Sequence, residues 1–353
     1  MFESFGFETL TAPQAAVYFA LALGLVFGVL AQITRFCFRR SILGDDRRQA
    51  AGVWLTALAV AVLGTQAAVA AGWIGFADHR FMAADLPVLA IAAGGLIFGA
   101  GMVLTRGCVS RLTVLTGSGN LRAALVLVVF AVVAHATLKG VLAPVRTTLG
   151  SVTLSLDSSA LPGNPLLWAG LIALTALGFA LRSGNRVGTL ALAALIGALV
   201  PLGWVGTGYI LLDEFDPIAM ESLSFTSAAA EALFFTVAST SISATFGAAL
   251  IGAVVVGSLI SSLLRGEFAW VSFASPRETG RYMSGAALMG VGGVLAGGCT
   301  VGAGLSGIPT LSVAAILAIA SIAAGGLVTN RLLSAAASER GAQATRQAAL
   351  PAE

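Results

Sequence analysis

The chain is short of charge. Only 10% of its 353 residues are Asp, Glu, Lys or Arg, where a soluble domain carries about 25%. Nineteen basic and 16 acidic side chains cannot cover the surface of a chain that is 58% hydrophobic, so a water-soluble globule is excluded. Lysine is nearly missing, with Lys139 alone beside 18 arginines, and the arginines fall in short loops rather than in one basic stripe. That scatter, with a net charge of only +3, excludes a nucleic-acid surface. Cysteine is scarce as well: Cys37, Cys108 and Cys299 are far apart, with no CxxC pair and no Cys/His cluster, so neither a zinc motif nor a haem attachment site is present. No metal and no cofactor are expected. The first residues carry Glu3 and Glu8 without a basic run, so no cleavable signal peptide is expected.

What is abundant is apolar sequence and glycine, 43 residues of it, with a mean hydropathy of +0.95. Stretches 49–77, 86–105, 187–212, 232–264 and 282–330 contain no Asp, Glu, Lys or Arg, lengths that a bilayer explains. Together with shorter runs they predict an all-α polytopic membrane protein of about nine spans, with cores near 13–34, 50–72, 86–106, 121–141, 165–182, 188–206, 243–264, 281–299 and 310–331. Segment 225–240 is shorter, contains Glu231 and reads as a re-entrant helix. Loops 34–48, 106–122, 182–186 and 265–281, with the tail from 331, hold 16 of the 19 basic residues. The alternate loops hold Asp78, Asp85, Asp157, Asp213, Glu214, Asp216 and Glu221 but only Arg80, Lys139 and Arg146. The positive-inside rule then puts the N-terminus outside and the C-terminus in the cytoplasm.

An internal repeat organises the chain. Gly99-x-Gly101-x5-Gly107-Cys108 recurs as Gly290-x-Gly292-x5-Gly298-Cys299, an offset of 191 residues. The two copies run in opposite directions through the expected topology, which predicts two pseudo-symmetric inverted halves, 1–182 and 183–335, followed by a disordered tail over 336–353. Gly24, Gly28 and Cys37 share the spacing of Gly95, Gly99 and Cys108, and Gly197 to Gly206 is a weaker echo without a thiol.

Glycine lets helices approach closely and lets the backbone leave helical geometry at no steric cost. Arg106-Gly107-Cys108 and Gly298-Cys299-Thr300 end apolar helices early, which a membrane tolerates only where the break is packed in protein or lines a cavity. Backbone N–H groups freed there can receive an anion, and a cysteine adds a polarizable sulfur and a weak S–H donor. Three such sulfurs suit a soft sulfur-containing anion better than phosphate. The plainer reading makes each Cys a small buried hydrophobe and each glycine a helix contact. Other polar positions are open between two readings. Arg35, Arg39 and Arg40 around Cys37, and Arg106 and Arg111 around Cys108, either draw anions or anchor the cytoplasmic face. His135 either handles protons or packs, and Glu231 either lines a vestibule or sits at the interface.

At these motifs the sequence resembles the YeeE/YedE family of sulfur-transport membrane proteins. The resemblance is carried by Phe36-Cys37-Phe38, by GGLIFGAGMVLTRGCVSRLTVLTGSGN over 94–120, by GSLISSLLRGEF ending at Phe268, and by GAALMGVGGVLAGGCTVGAGLSG over 285–307. Arg106 and Arg111 stand where smaller or uncharged residues are more usual in that motif. The resemblance implies an hourglass-shaped protein of a bacterial inner membrane, not an enzyme, that takes up thiosulfate or a related small sulfur anion. It implies a substrate path formed by Cys37, Cys108 and Cys299 with Gly107 and Gly298 shaping their loops; Thr300 and Arg106 are the neighbours expected to share it. Membrane lipid and a cytosolic sulfurtransferase are the expected partners. Two rivals remain at this level: a membrane thiol enzyme that relays sulfane sulfur covalently, and a transporter of selenium compounds or sulfite.

Overall fold

A computed structural model describes residues 10–156, 158–213 and 216–348, without the side chains of 337–348. Glu3, Glu8, Asp157 and Glu214 lie outside the described residues. The protein is an all-α membrane protein: among the described residues the strands are two two-residue pieces, Asp85–Leu86 and Leu154–Ser155, paired antiparallel.

The helices are α1 (Ala12–Thr34), α2 (Phe38–Leu43), α3 (Arg47–Ala70), α4 (Val88–Leu104), α5 (Val109–Gly117), α6 (Leu121–Lys139), α7 (Ala143–Gly150), α8 (Pro165–Leu181), α9 (Val187–Val205), α10 (Thr226–Ala238), α11 (Phe246–Leu264), α12 (Pro276–Leu295) and α13 (Val313–Ala348). Their starts are written in the sequence. Thr11 and Gln14 form a reciprocal capping box at α1, and Asn120, Asn164, Thr245 and Ser275 cap α6, α8, α11 and α12 through side-chain oxygens. Pro165 and Pro276 occupy first turns, where the missing N–H has no helical partner to lose.

Eight helical segments among the described residues are long and apolar enough to cross a membrane. The ninth expected span, 165–182, is α8, a 17-residue apolar helix at the short limit for a crossing. Segment 225–240 is the 13-residue α10, about 20 Å long, too short to span a hydrocarbon core of about 30 Å. Helix α13 continues into the expected tail 336–353, whose last five residues lie outside the described set. Leu167, Leu174, Leu181, Val187 and Leu264 project outward, each more than 70% exposed, a surface that lipid tails cover and water would not.

Glycine decides which helices touch. A methyl group on Gly94 would lie 2.8 Å from the Gly292 carbonyl oxygen, and one on Gly292 would lie 2.6 Å from that of Gly94. Gly101 and Gly285 face each other in the same reciprocal way, so α4 and α12 meet backbone to backbone. Gly24, Gly28 and Gly257 do the same for α1 against α11. Such contacts replace the hydrophobic drive that two helices in lipid do not have.

Replacing Gly292 by Ala would force a methyl to 2.4 Å from the Phe98 backbone nitrogen. The expected outcome is a loss of about 1–3 kcal/mol, typical of overpacking, seen as a lower thermal midpoint of the detergent-solubilised protein. Gly170→Ala, where nothing lies within 4 Å, is expected to leave the midpoint unchanged.

Candidate functional site

Three helices stop inside the molecule by one device. The N–H groups of Arg35, Arg106 and Gly297 bond to carbonyls three residues back, Gln32, Val103 and Val294. Those three residues have φ of 53°, 59° and 72°, the left-handed conformation that turns a chain away from a helix. Gly297 adopts it freely; Arg35 and Arg106 do so against the usual cost of a side chain there.

Two residues after each turn comes a cysteine. Cys37, Cys108 and Cys299 have extended backbones and stand at the N-cap of the next helical segment: α2, α5 and an eight-residue π-helical turn, Thr300–Gly307. Each cysteine carbonyl accepts the first bond of that segment, from Ser41, Leu112 and Ala303, at 3.3, 2.9 and 2.9 Å. The glycines before the second and third thiols are confined, since a methyl on Gly298 would lie 2.9 Å from the Ala303 nitrogen and one on Gly107 3.3 Å from Leu112.

All three thiols are free and buried in one core. The Cys37 and Cys108 side chains are within hydrogen-bonding reach of each other. Cys108 Sγ also lies 3.3 Å from the Ser110 hydroxyl. Thr300, next to Cys299, places its hydroxyl beside Cys108 without completing a well-aligned bond. Cys299 Sγ accepts the Gly302 N–H at 3.4 Å. The sequence repeat thus becomes a spatial cluster, with Cys108 between the other two motifs.

The surroundings differ on the two sides. Beside Cys37 and Cys108 lies Arg111, with Arg35 and Arg40 close by; its Nη1 is buried and has no hydrogen-bond partner. Arg40 is bound to Asp46. Arg106 is exposed and its charge acts on Glu278, so its side chain stays apart from the thiols. His135 is also apart: its ring lies 3.8 Å, centroid to centroid, from that of Phe234, a packing contact between α6 and α10.

On the other side a cavity of about 780 Å³ opens. Asp78, His79, Arg80, Glu221 and Glu231 line it, and Gly302 and Ser306 of the Cys299 turn belong to its wall. Glu231 is therefore a cavity residue, with its Oε2 accepting the Thr245 hydroxyl at 2.5 Å. Two further lining groups, Trp204 Nε1 and Ser224 Oγ, are buried without hydrogen-bond partners, an unusual condition for polar atoms in a packed interior. The weak glycine echo ends here too, because α9 runs through Pro201 into the π-helical turn Gly206–Ile210, whose Thr207 and Gly208 line the cavity. Burial, with help from Arg80, pushes His79 down to about 4, so that its ring is neutral at pH 7. Burial and the nearby Glu231 push Glu221 up to about 7, against the opposing pull of Arg80.

Sequence reasoning placed Arg80 and Glu221 only in loops and did not see that they share a cavity. The one signal available was the rarity of Arg80, one of three basic residues in the alternate loops. Among the described residues no group of three or more His, Cys, Asp or Glu side chains is placed to hold a metal ion.

The family model described as sulphur transport matches residues 27–328, from the middle of α1 into α13 and across all three cysteine motifs. No curated relative matches the chain. The chain belongs to the sulphur-transport (YeeE/YedE) family, and is a multi-pass membrane protein that carries a small sulfur compound.

Proposed function

We propose that the protein is a permease that takes up thiosulfate or a closely related sulfur anion through a path lined by Cys37, Cys108 and Cys299, in a bacterial inner membrane with the N-terminus outside and the C-terminus in the cytoplasm. The observation that carries the reading is the meeting of three thiols at helix starts, with a cavity on one side and an arginine cluster on the other. Helix N-termini present unpaired N–H groups and the positive end of the backbone dipole. These substitute for part of an anion's hydration, while S–H groups donate weakly to its terminal sulfur.

In this reading the anion enters the cavity, passes Cys299, is shared between Thr300 and Cys108, and leaves past Cys37 toward Arg111, Arg35 and Arg40. Each stop must bind weakly enough to release, and a thiol is a weaker donor than an ammonium or guanidinium group. Gly107 and Gly298 keep the loops close to the path. Arg106 serves the cytoplasmic face instead, and Arg111 is the cation of the waist. The inverted halves 1–182 and 183–335 supply one break each at Cys108 and Cys299, with Cys37 a third in the first half. A cytosolic sulfurtransferase is the partner that would consume the product at the arginine-rich mouth.

A second reading has one observation in its favour. The contact of Cys37 with Cys108 beside Arg111 supplies the neighbouring thiol and cation that a covalent sulfur relay needs. A persulfide trapped on Cys108 during turnover would support that enzyme-like relay over permeation.

Radiolabelled thiosulfate uptake by cells expressing each variant tests the permease. Cys108→Ala is expected to lower uptake most, about tenfold or more, as loss of a central hydrogen-bonding group of about 1.4 kcal/mol would. Cys37→Ala and Cys299→Ala are expected to lose less, with normal amounts of protein in the membrane. Wild-type uptake in all three would refute the thiol path. Arg111→Gln is expected to cost about 10- to 100-fold, as loss of a charged hydrogen bond does, with partial recovery in Arg111→Lys, both read as initial uptake rates.

A further inference from the structure

An anion permease has no evident use for two carboxylates in its cavity, yet Glu221 and Glu231 both line it beside Arg80. Arg80 is exposed to the cavity. Its guanidinium lies over the Phe81 ring at 5.0 Å and, among the described residues, forms no ion pair within 4 Å. Glu221 is held in place through its backbone, whose N–H and C=O both bond to the Thr207 hydroxyl at 2.9 and 2.7 Å, which leaves its half-buried carboxyl facing the cavity. Arg80 is near enough for its charge to act on both Glu221 and Cys299.

We propose that Arg80 and Glu221 form a proton-linked anion-capture site, in which a sulfur anion binds at Arg80 while Glu221 takes up a proton from the solution filling the cavity. The inference rests on the permease reading and adds to it a link between anion and proton. A dianion entering beside an ionised carboxylate meets like charge in a recess where screening is weak; protonation removes that charge and leaves Arg80 free to pair. Linkage makes the effect mutual, so anion binding must draw a proton onto Glu221.

The other charged or titratable groups that line the cavity with Glu221 come from the Arg80 loop and from α10. On the loop that carries Arg80, His79 is neutral, with Nδ1 accepting the Phe81 N–H at 3.3 Å. Asp78 on the same loop is exposed. On α10, Glu231 is bound by Thr245. The lining residues of α9, of α11 and of the Cys299 turn carry no ionisable side chain, and Cys299 lies buried behind that turn. Glu221, displaced upward by burial to about 7, is the group poised to change charge near neutrality.

The test is thiosulfate binding to the purified full-length protein in detergent, with proton exchange followed by a pH dye in weak buffer. Thiosulfate is the anion of a strong acid and does not itself titrate here. Wild type is expected to take up protons on binding at pH 7.5, and its affinity is expected to fall by up to about tenfold per pH unit above 7 and to level off below. Glu221→Gln, a neutral isostere, is expected to bind at pH 8 as tightly as wild type does at pH 6, with the pH dependence and the proton uptake both lost. Arg80→Gln is expected to bind weakly at every pH. Binding without proton exchange, or an unchanged pH slope in Glu221→Gln, overturns the proton link and leaves the permease standing. A folded wild type that neither binds nor transports thiosulfate at any pH overturns the permease reading, and this one with it.

Discussion

A helix that stops inside a bilayer leaves backbone N–H and C=O groups without water to receive them, and much of this structure answers that constraint. Three helices, α1, α4 and α12, end at interior turns where residues 35, 106 and 297 adopt positive φ and close the same three-residue cap bond. The chain then restarts a helical segment with a cysteine at its N-cap. Such a break survives only if the surrounding helices seal it from lipid. The glycine contacts of α4 with α12, and of α1 with α11, provide that seal by bringing backbones close enough for little besides hydrogen to fit between them. Packing and site are one arrangement, because α1, α4 and α12, which end at the thiols, all pack through glycine.

The two sides of the thiol cluster differ in charge. One side presents Arg111 with an unpartnered buried nitrogen, near Arg35 and Arg40. The other is a cavity where a single guanidinium shares space with several carboxyls, buried enough to hold His79 neutral and to move Glu221 toward neutrality. Low dielectric surroundings magnify both effects, since the charged form of any group loses hydration there. Family membership assigns the protein to sulfur transport.

Much of this is legible in the amino-acid sequence alone. The charge-free runs marked most spans, since a bilayer accepts apolar residues and rejects ionised ones regardless of how the helices later pack. The short segment 225–240 stood apart by length and became α10. The spacing of glycine and cysteine marked the breaks, because those residue types are what such turns and close contacts require. Span 165–182 is the 17-residue α8, at the short limit for a crossing. Arg106 and Arg111 were indistinguishable in sequence, both a short step from Cys108; helix α5 turns Arg111 toward the thiols, while Arg106, on the left-handed turn before them, faces solvent.

Sequence by itself determined that this chain is a helical membrane protein with repeated glycine–cysteine interruptions, for hydropathy and local backbone preference act over short stretches of chain and need no partner. Only the tertiary structure decided that Cys37 and Thr300 lie beside Cys108, and that Arg80, Glu221 and Glu231 share one cavity. Those proximities join residues up to 192 positions apart, Cys108 to Thr300. They follow from which helix surfaces pack together, a property of the assembled fold that no local pattern encodes.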